Sequence, residues 1–327
     1  MKLLLKSAVP LALLAAASVG AQDFPGTKPI SIVVPFAAGG PTDLVARQLA
    51  EALRKPLNGA TVVVENAAGA GGTIGANKVA KAPADGHTLL LYHIGIATSP
   101  ALYRNLPYKT LEDFEYLGMV NEVPMTLIGR PTLPASNYAE LAKWLEANKG
   151  KINLANAGLG AASHLCGLLF QSALKLEMTT VPYKGTAPAM TDLIGGQVDL
   201  MCDQTTNTSS QIEGKKVKAF GVTTRQRLTT PALKHLPTLQ EVGLKDFEVN
   251  IFHGLYAPKG VPAPVLKKLN DALKVALKDP DFVRRQNELG AVIVNDKRVE
   301  PAEHKKFVAS EINKWTPVIR AAGVYAD

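Results

Sequence analysis

The stretch 29–53, PISIVVPFAAGGPTDLVARQLAEAL, decides the fold. Residues 30–36 are dense in Ile and Val, the composition of a buried strand. Ala37-Ala38-Gly39-Gly40 then allows a sharp turn, because glycine takes positive φ at little cost. Pro41 suits the first position of a helix, where its missing N–H is no loss. Leu44, Val45, Leu49, Ala52 and Leu53 follow at helical spacing. Strand, glycine turn and helix start leave backbone N–H groups directed at one place, which attracts an anion. Asp43 falls in the first helical turn, where it complements the dipole and could also face a ligand. Bulk at Gly39 is expected to block close approach to this turn.

Working outward, residues 61–65 read as a second strand, NAAGAGG (66–72) as a loop and 73–82 as a helix. Pro83-Ala84-Asp85-Gly86 is a turn signal, and 87–92 a third strand. This β-α-β-α-β alternation predicts an open parallel sheet with helices on both faces. A dinucleotide site is excluded: the third glycine of the fingerprint would stand at position 74, which is Ile. The same grammar recurs at 152–165. A strand (152–156) leads into Ala157-Gly158-Leu159-Gly160 and a helix carrying Leu165, Leu168, Leu169 and Leu176. Two similar lobes are therefore expected. Further strands are read at 126–130, 178–183, 198–201 and 218–223, with a helix at 137–148 and another opening at Pro188. A strand at 249–257 could run back between the lobes. Helices at 264–278, 280–289 and 301–319 close the chain, with a short strand at 291–294.

Composition narrows the class. Lys2 and Lys6, an apolar run over 8–14 and the small residues Val19-Gly20-Ala21 predict a signal peptide over 1–21, cleaved after Ala21. No later segment has the roughly 18 uninterrupted apolar residues of a membrane span. A hydrophobic fraction of 46 % is ample for two cores. The net charge of +8 serves solubility or favours anionic ligands. Lys and Arg are scattered, so nucleic acid is not expected as a partner. Cys166 and Cys202 would meet an oxidising compartment, where one disulfide or two buried thiols are both open.

No catalytic constellation is present: there is no G-x-S-x-G elbow, H-E-x-x-H, P-loop or Cys/His cluster with metal spacing. Ser163 and His164 are adjacent, so their side chains diverge instead of forming a nucleophile and base. His164 near a helix N-terminus is disfavoured as a cation. The remaining histidines, His87, His93, His235, His253 and His304, share no periodicity. Asp203, just after a strand in a polar run, lies where open α/β sheets bind ligands. It would repel a carboxylate but could hold an amine or a protonated group, or orient Thr205 and Gln204. Thr205 to Thr208 form either a hydroxyl-rich wall or a capped helix start.

Six stretches together resemble the substrate-binding proteins of tripartite tricarboxylate transporters, the Bug family. They are KPISIVVPFAAGGPTDLVAR, VVVENAAGAGGTIGANKVAKAPADGHTLLL, SPALYRNLPY, LANAGLGAASHL, VPYKGTAPAMTDLIGGQVDLMCDQ and FHGLYAPKGVPAPVLKKLN, in the family's order. The resemblance implies an α/β fold, a two-lobed periplasmic binding protein of type II-like topology. Each lobe would be a mixed, mostly parallel sheet flanked by helices, with a hinged cleft between. Lobe 1 is expected over 22–124 plus 251–327, and lobe 2 over 125–250.

By position, Phe36, Ala37, Gly39 and Gly40 would receive a ligand carboxylate through backbone amides, with Thr42 and Asp43 opening the helix. Ala157, Gly158, Ala161 and Ser163 align with the facing loop, and His164 with the family's usual histidine. Asp203, with Thr205 nearby, would meet the ligand's distal end. Cys202 stands where many members carry an aromatic residue, and Ser99 where many carry asparagine. The implied partners are a small carboxylate (di-, tri- or aromatic) and the large and small permease subunits. A periplasmic monomer without cofactor or enzymatic activity is expected. Two alternatives stay open: a secreted hydrolase using Ser163, His164 or Asp203, and an inorganic oxyanion-binding protein.

Overall fold

The first three strands, β1 (Ile30–Val34), β2 (Val62–Asn66) and β3 (Thr88–His93), pair parallel in the order β2-β1-β3. They belong to a computed structural model that describes residues 24–323 and 325–326; the expected signal segment 1–21 lies outside them. Helices α1 (Pro41–Arg54) and α2 (Thr73–Ala80) are the crossovers. In α1, Pro41 stands in the first turn, Asp43 faces the positive end of the dipole and Arg54 the negative end. Val45, Ala46, Leu49, Ala50 and Leu53 are its buried stripe.

The next strand departs from the expected 126–130. β4 runs for 16 residues, Phe114–Gly129, and nearly all of it is buried. Gly118, Asn121, Glu122 and Pro124 hide it from pattern reading, because each breaks the run of apolar residues. Their polar groups are satisfied by distant partners: Asn121 by His253 and Gln286, Glu122 by Arg298. The α3 helix (Gly95–Leu102) is likewise hidden from pattern reading, since it contains Pro100.

β4 belongs to two sheets. Its first part, through Pro124, pairs antiparallel with β9 (Asn250–Pro258), which also pairs antiparallel with β3. Its last five residues pair with β7 (Leu200–Gln204) on one side, and the last four of them with β8 (Lys218–Val222) on the other. β7 continues parallel to β5 (Asn153–Asn156), and β5 to β6 (Thr179–Pro182). The first sheet thus reads β2-β1-β3-β9-β4 and the second β6-β5-β7-β4-β8. Each has three parallel strands, then a strand of opposite sense, then a fifth. This shared order is the physical form of the sequence echo. Short β10 (Val292–Ile293) adds to β4 at Asn121 and Glu122.

The chain crosses between sheets at Pro124–Met125 and Val249–Asn250, and buried Thr223 ties both crossings. Its hydroxyl donates to the Val249 carbonyl (2.6 Å) and accepts from the Met125 amide (3.0 Å). The second sheet carries α4 (Tyr138–Ala147), α5 (Ala162–Leu174), α6 (Thr186–Ile194) and α7 (Thr205–Glu213). Helices α8 (Ala263–Ala276), α9 (Pro280–Glu288) and α10 (Pro301–Ala321) return to the first sheet. Among the described residues no helix is long and apolar enough to cross a membrane.

Candidate functional site

The carboxyl ends of β1, β3, β5 and β7 converge on one cavity, the place where open α/β sheets bind ligands. From the first sheet it is lined by Phe36, Gly40, Pro41, Thr42 and His93. From the second come Ala157, Ala162, Ser163, Thr186, Asp203 and Gln204. It holds about 260 Å³ of space not occupied by atoms, of which about 10 Å³ is open to the centre of a water molecule. The loops around it touch. The Ala37 amide donates to the Lys184 carbonyl (3.1 Å), the Thr98 hydroxyl to Gly160 (2.7 Å) and the Tyr103 hydroxyl to Leu159 (2.9 Å). A Cβ placed on Gly71 would stand 1.9 Å from the Leu159 carbonyl oxygen, so the opposed backbones are packed to their limit.

The electrostatics are specific. Among the described residues no Lys or Arg lines the cavity. His93 is neutral: burial lowers its pKa to about 3, and its Nδ1 accepts from the Gly95 amide (2.9 Å). Its ring lies against Phe36, centroid to centroid 4.6 Å. Burial raises Asp203 to about 7, only partly offset by hydrogen bonds from the Asn207 side chain and the Gln204 amide. An acid with that pKa can hold a proton and donate it to a bound acceptor. The Gln204 Oε1 atom is buried with no hydrogen-bond partner among the described residues. A buried polar atom of this kind is costly unless something pairs with it.

The cavity collects only part of the expected site. Phe36, Gly40, Thr42, Ala157, Ser163 and Asp203 line it. The Ala37 amide is taken by Lys184 and the Gly39 amide by the Asp43 carboxylate at 2.9 Å. Asp43 is also held by Arg47 (2.9 and 3.0 Å) and Asn66 (2.9 Å). Burial works to raise its pKa, but these hydrogen bonds outweigh that and hold the carboxyl below its usual range. Gly39 and Asp43 face a second groove between α1 and α7, with Arg47, Thr206 and Asn207, where about 500 Å³ is open to the centre of a water molecule. Gly39 has φ +80°, yet a Cβ placed on it would stand 3.8 Å from the Ala187 Cβ across the cleft, an ordinary contact; crowding is instead at Gly40.

The amide of Gly158 donates to Asn156, and the Ala161 amide to the Gly158 carbonyl, so both serve their own loop. His164 does the same, with Nδ1 accepting from the Gly160 amide (3.2 Å). Burial lowers its pKa to about 4. The Ser163 hydroxyl accepts from the Ala157 amide (2.8 Å), so Ser163 and His164 face different backbone groups. Thr205 is buried in the first turn of α7, whose start has no side-chain cap, and its hydroxyl has no hydrogen-bond partner among the described residues. Cys166 on α5 and Cys202 on β7 are bonded, with Cα atoms 6.0 Å apart.

Pattern reading misses Pro41, His93, Ala162 and Thr186, and has Gln204 only as a group that Asp203 could orient. Thr186 opens α6 after Gly185 much as Thr42 opens α1 after Gly40, and that repeated Gly-Thr or Gly-Pro-Thr start is a usable signal. His93 offers only its position at a strand end. Among the described residues no group of three or more His, Cys, Asp or Glu could hold a metal ion.

Two like sheets, crossing strands and a polar cleft at facing strand ends define a two-lobed periplasmic binding protein. The chain belongs to the tripartite tricarboxylate transporter family receptors, whose model matches residues 45–324. The periplasmic binding protein BugD is 51 % identical, superposes with a TM-score of 0.88, and covers 91 % of this chain and 99 % of its own. MatC of Rhodopseudomonas palustris, solved with bound malate, is 38 % identical (TM-score 0.84, 89 % and 98 % covered). Another R. palustris protein, solved with adipate, is 32 % identical (TM-score 0.86, 93 % and 99 % covered).

Proposed function

We propose that this protein captures a small carboxylate in the periplasm, closes its two lobes over it, and delivers it to the large and small subunits of a membrane permease. The lobes would be 22–124 with 251–327, and 125–250, hinged where Thr223 holds the crossings. The observation that carries this is the cavity itself. It is polar, free of cations among the described residues, and walled by loops of both sheets that meet only when the lobes are together. A carboxylate there would be received by the Ser163 and Thr186 hydroxyls and by backbone N–H groups near the starts of α1, α5 and α6, where helix dipoles favour negative charge. Charge-assisted hydrogen bonds are the strong kind, so few are needed. Protonated Asp203 could donate to a second carboxyl group. Malate and adipate in the two R. palustris relatives favour aliphatic dicarboxylates within the class.

A thermal-shift screen of the mature protein tests this. At a hundredfold excess over Kd a ligand stabilises by about 2.7 kcal/mol. Organic carboxylates should raise Tm by a few degrees and phosphate should not. Stabilisation by phosphate alone would favour the oxyanion alternative. Ester hydrolysis lost in Ser163→Ala would favour the hydrolase.

A further inference from the structure

A line of polar side chains runs from Thr42 on the cavity wall through the first sheet to α9 and back to Gln48 on α1. The Thr42 hydroxyl meets His253 Nε2 (3.1 Å), and His253 Nδ1 meets Asn121 Oδ1 (2.8 Å). Asn121 Nδ2 then donates to Gln286 Oε1 (2.6 Å), and Gln286 Nε2 to Gln48 Oε1 (2.6 Å). Thr42, His253, Asn121 and Gln286 are all at least 95 % buried. His253 and Asn121 are direct partners across β9 and β4, which sets their contact by strand register. So long a polar line in a core would be costly unless every member were paired.

The amide orientations of Asn121 and Gln286 give the line its sense. With its NH2 turned to Gln286, Asn121 faces His253 with its oxygen, which accepts, so the donor is His253 Nδ1–H. His253 is neutral, held so first by burial and then by the neighbouring His93, and therefore carries one ring proton. That proton is on Nδ1, which leaves Nε2 as an acceptor. The Thr42 hydroxyl is the donor to it. His253 is the one hydrogen-bond partner of that hydroxyl among the described residues, so its single proton is committed inward. Toward the cavity, Thr42 offers lone pairs only. The opposite wall has the reverse character: Ser163 already accepts from the Ala157 amide, so its hydroxyl proton is free to donate.

We infer that the His253–Asn121–Gln286 line makes Thr42 an obligate hydrogen-bond acceptor, and so selects carboxylates that carry a donor, a hydroxyl or ammonium group, over the bare carboxylate. This rests on the carboxylate-binding proposal above. Thr42 is the specificity-determining residue; His253, Asn121 and Gln286 position its proton. A ligand without a donor would leave a buried acceptor unpaired, which is where discrimination between otherwise equal ligands comes from.

The experiment has two independent arms. Calorimetry on the mature protein compares L-malate, L-aspartate and succinate, which share one four-carbon backbone. At least one donor-bearing acid should bind roughly 10- to 100-fold more tightly than succinate. In Thr42→Val and in Asn121→Leu that ratio should fall to within about threefold. Equal binding of all three by the unaltered protein would overturn the inference, and so would a ratio unchanged in Thr42→Val. The second arm needs no ligand and no variant. Two-bond ¹H–¹⁵N NMR of the imidazole rings should show His253 with a pyrrole-like Nδ1 and a pyridine-like Nε2. The opposite pattern would mean the line runs the other way and would overturn the inference. The two failures are distinguishable: expected NMR with no binding of any carboxylate in the wider screen rejects the carboxylate proposal and, with it, the selection, while the proton order stands.

Discussion

Gly40→Ala separates closure from folding. Gly40 has φ −84° and ψ 175°, extended backbone that any residue adopts, so alanine imposes no local strain. Fewer unfolded conformations should even stabilise the unliganded protein, by about 0.4–1 kcal/mol. Across the cleft the outcome reverses. The new Cβ would lie 2.8 Å from the Thr186 hydroxyl oxygen, roughly half an ångström inside ordinary contact. Overpacking of this order costs about 1–3 kcal/mol, which weakens binding by roughly 5- to 150-fold if closure is required for it. Calorimetry with whichever carboxylate stabilises the protein, beside thermal melts without ligand, reads both signs at once. Because Thr186 supplies the clash, the penalty should largely vanish when Gly40→Ala is made in a Thr186→Ala background. Undiminished affinity in the single variant would refute the close approach. A loss equally large in both backgrounds would refute its assignment to Thr186.

Three further outcomes follow from the site. Asp203 has a folded pKa near 7 against an ordinary 3.8, so the folded state holds its proton more tightly. Its contribution is present below about pH 4 and is lost as pH rises to about 7. Asp203→Asn should flatten that slope in urea melts across pH 4–8 and raise stability at pH 8; an unchanged slope would exclude Asp203 as its source. The Cys166–Cys202 bond closes a loop with a sequence separation of 36, so replacing both residues by alanine should cost about 3–4 kcal/mol by urea unfolding. A change under about 1 kcal/mol would show that the link does little for stability. Asp43→Ala leaves the Gly39 amide, Asn66 and Arg47 without their acceptor. A loss of about 2–3 kcal/mol is expected, with Asp43→Asn milder; equal losses would mean that charge, not geometry, matters there.

Much of the architecture was legible because it is local. The unit 29–53 declared its strand by Ile and Val density, its turn by two glycines and its helix by Pro41 and periodic apolar residues. Those signals depend on neighbours within a few positions, and β1 and α1 appear where they point. The recurrence of the same grammar near Ala157 reported a second sheet of like order. Asp279 capping α9, with its carboxylate accepting from the Phe282 amide, is another local device of the chain.

The tertiary structure decided what depends on distant partners. β4 was half hidden because its polar residues are satisfied by side chains more than a hundred positions away, such as Gln286 and Arg298. The site divided for the same reason. Gly39 and Asp43 flank Gly40 in sequence, yet their hydrogen bonds turn inward to each other, while Gly40 alone meets Thr186 across the cleft. His93 and His253 had no pattern in sequence, because strand register across β3, β9 and β4 is what sets them and Asn121 side by side. Sequence by itself determined the units and their order, through short-range sterics and periodicity. Which polar groups remain for a ligand was decided only in three dimensions, since a hydrogen-bonding group is free or spent according to what folding sets beside it.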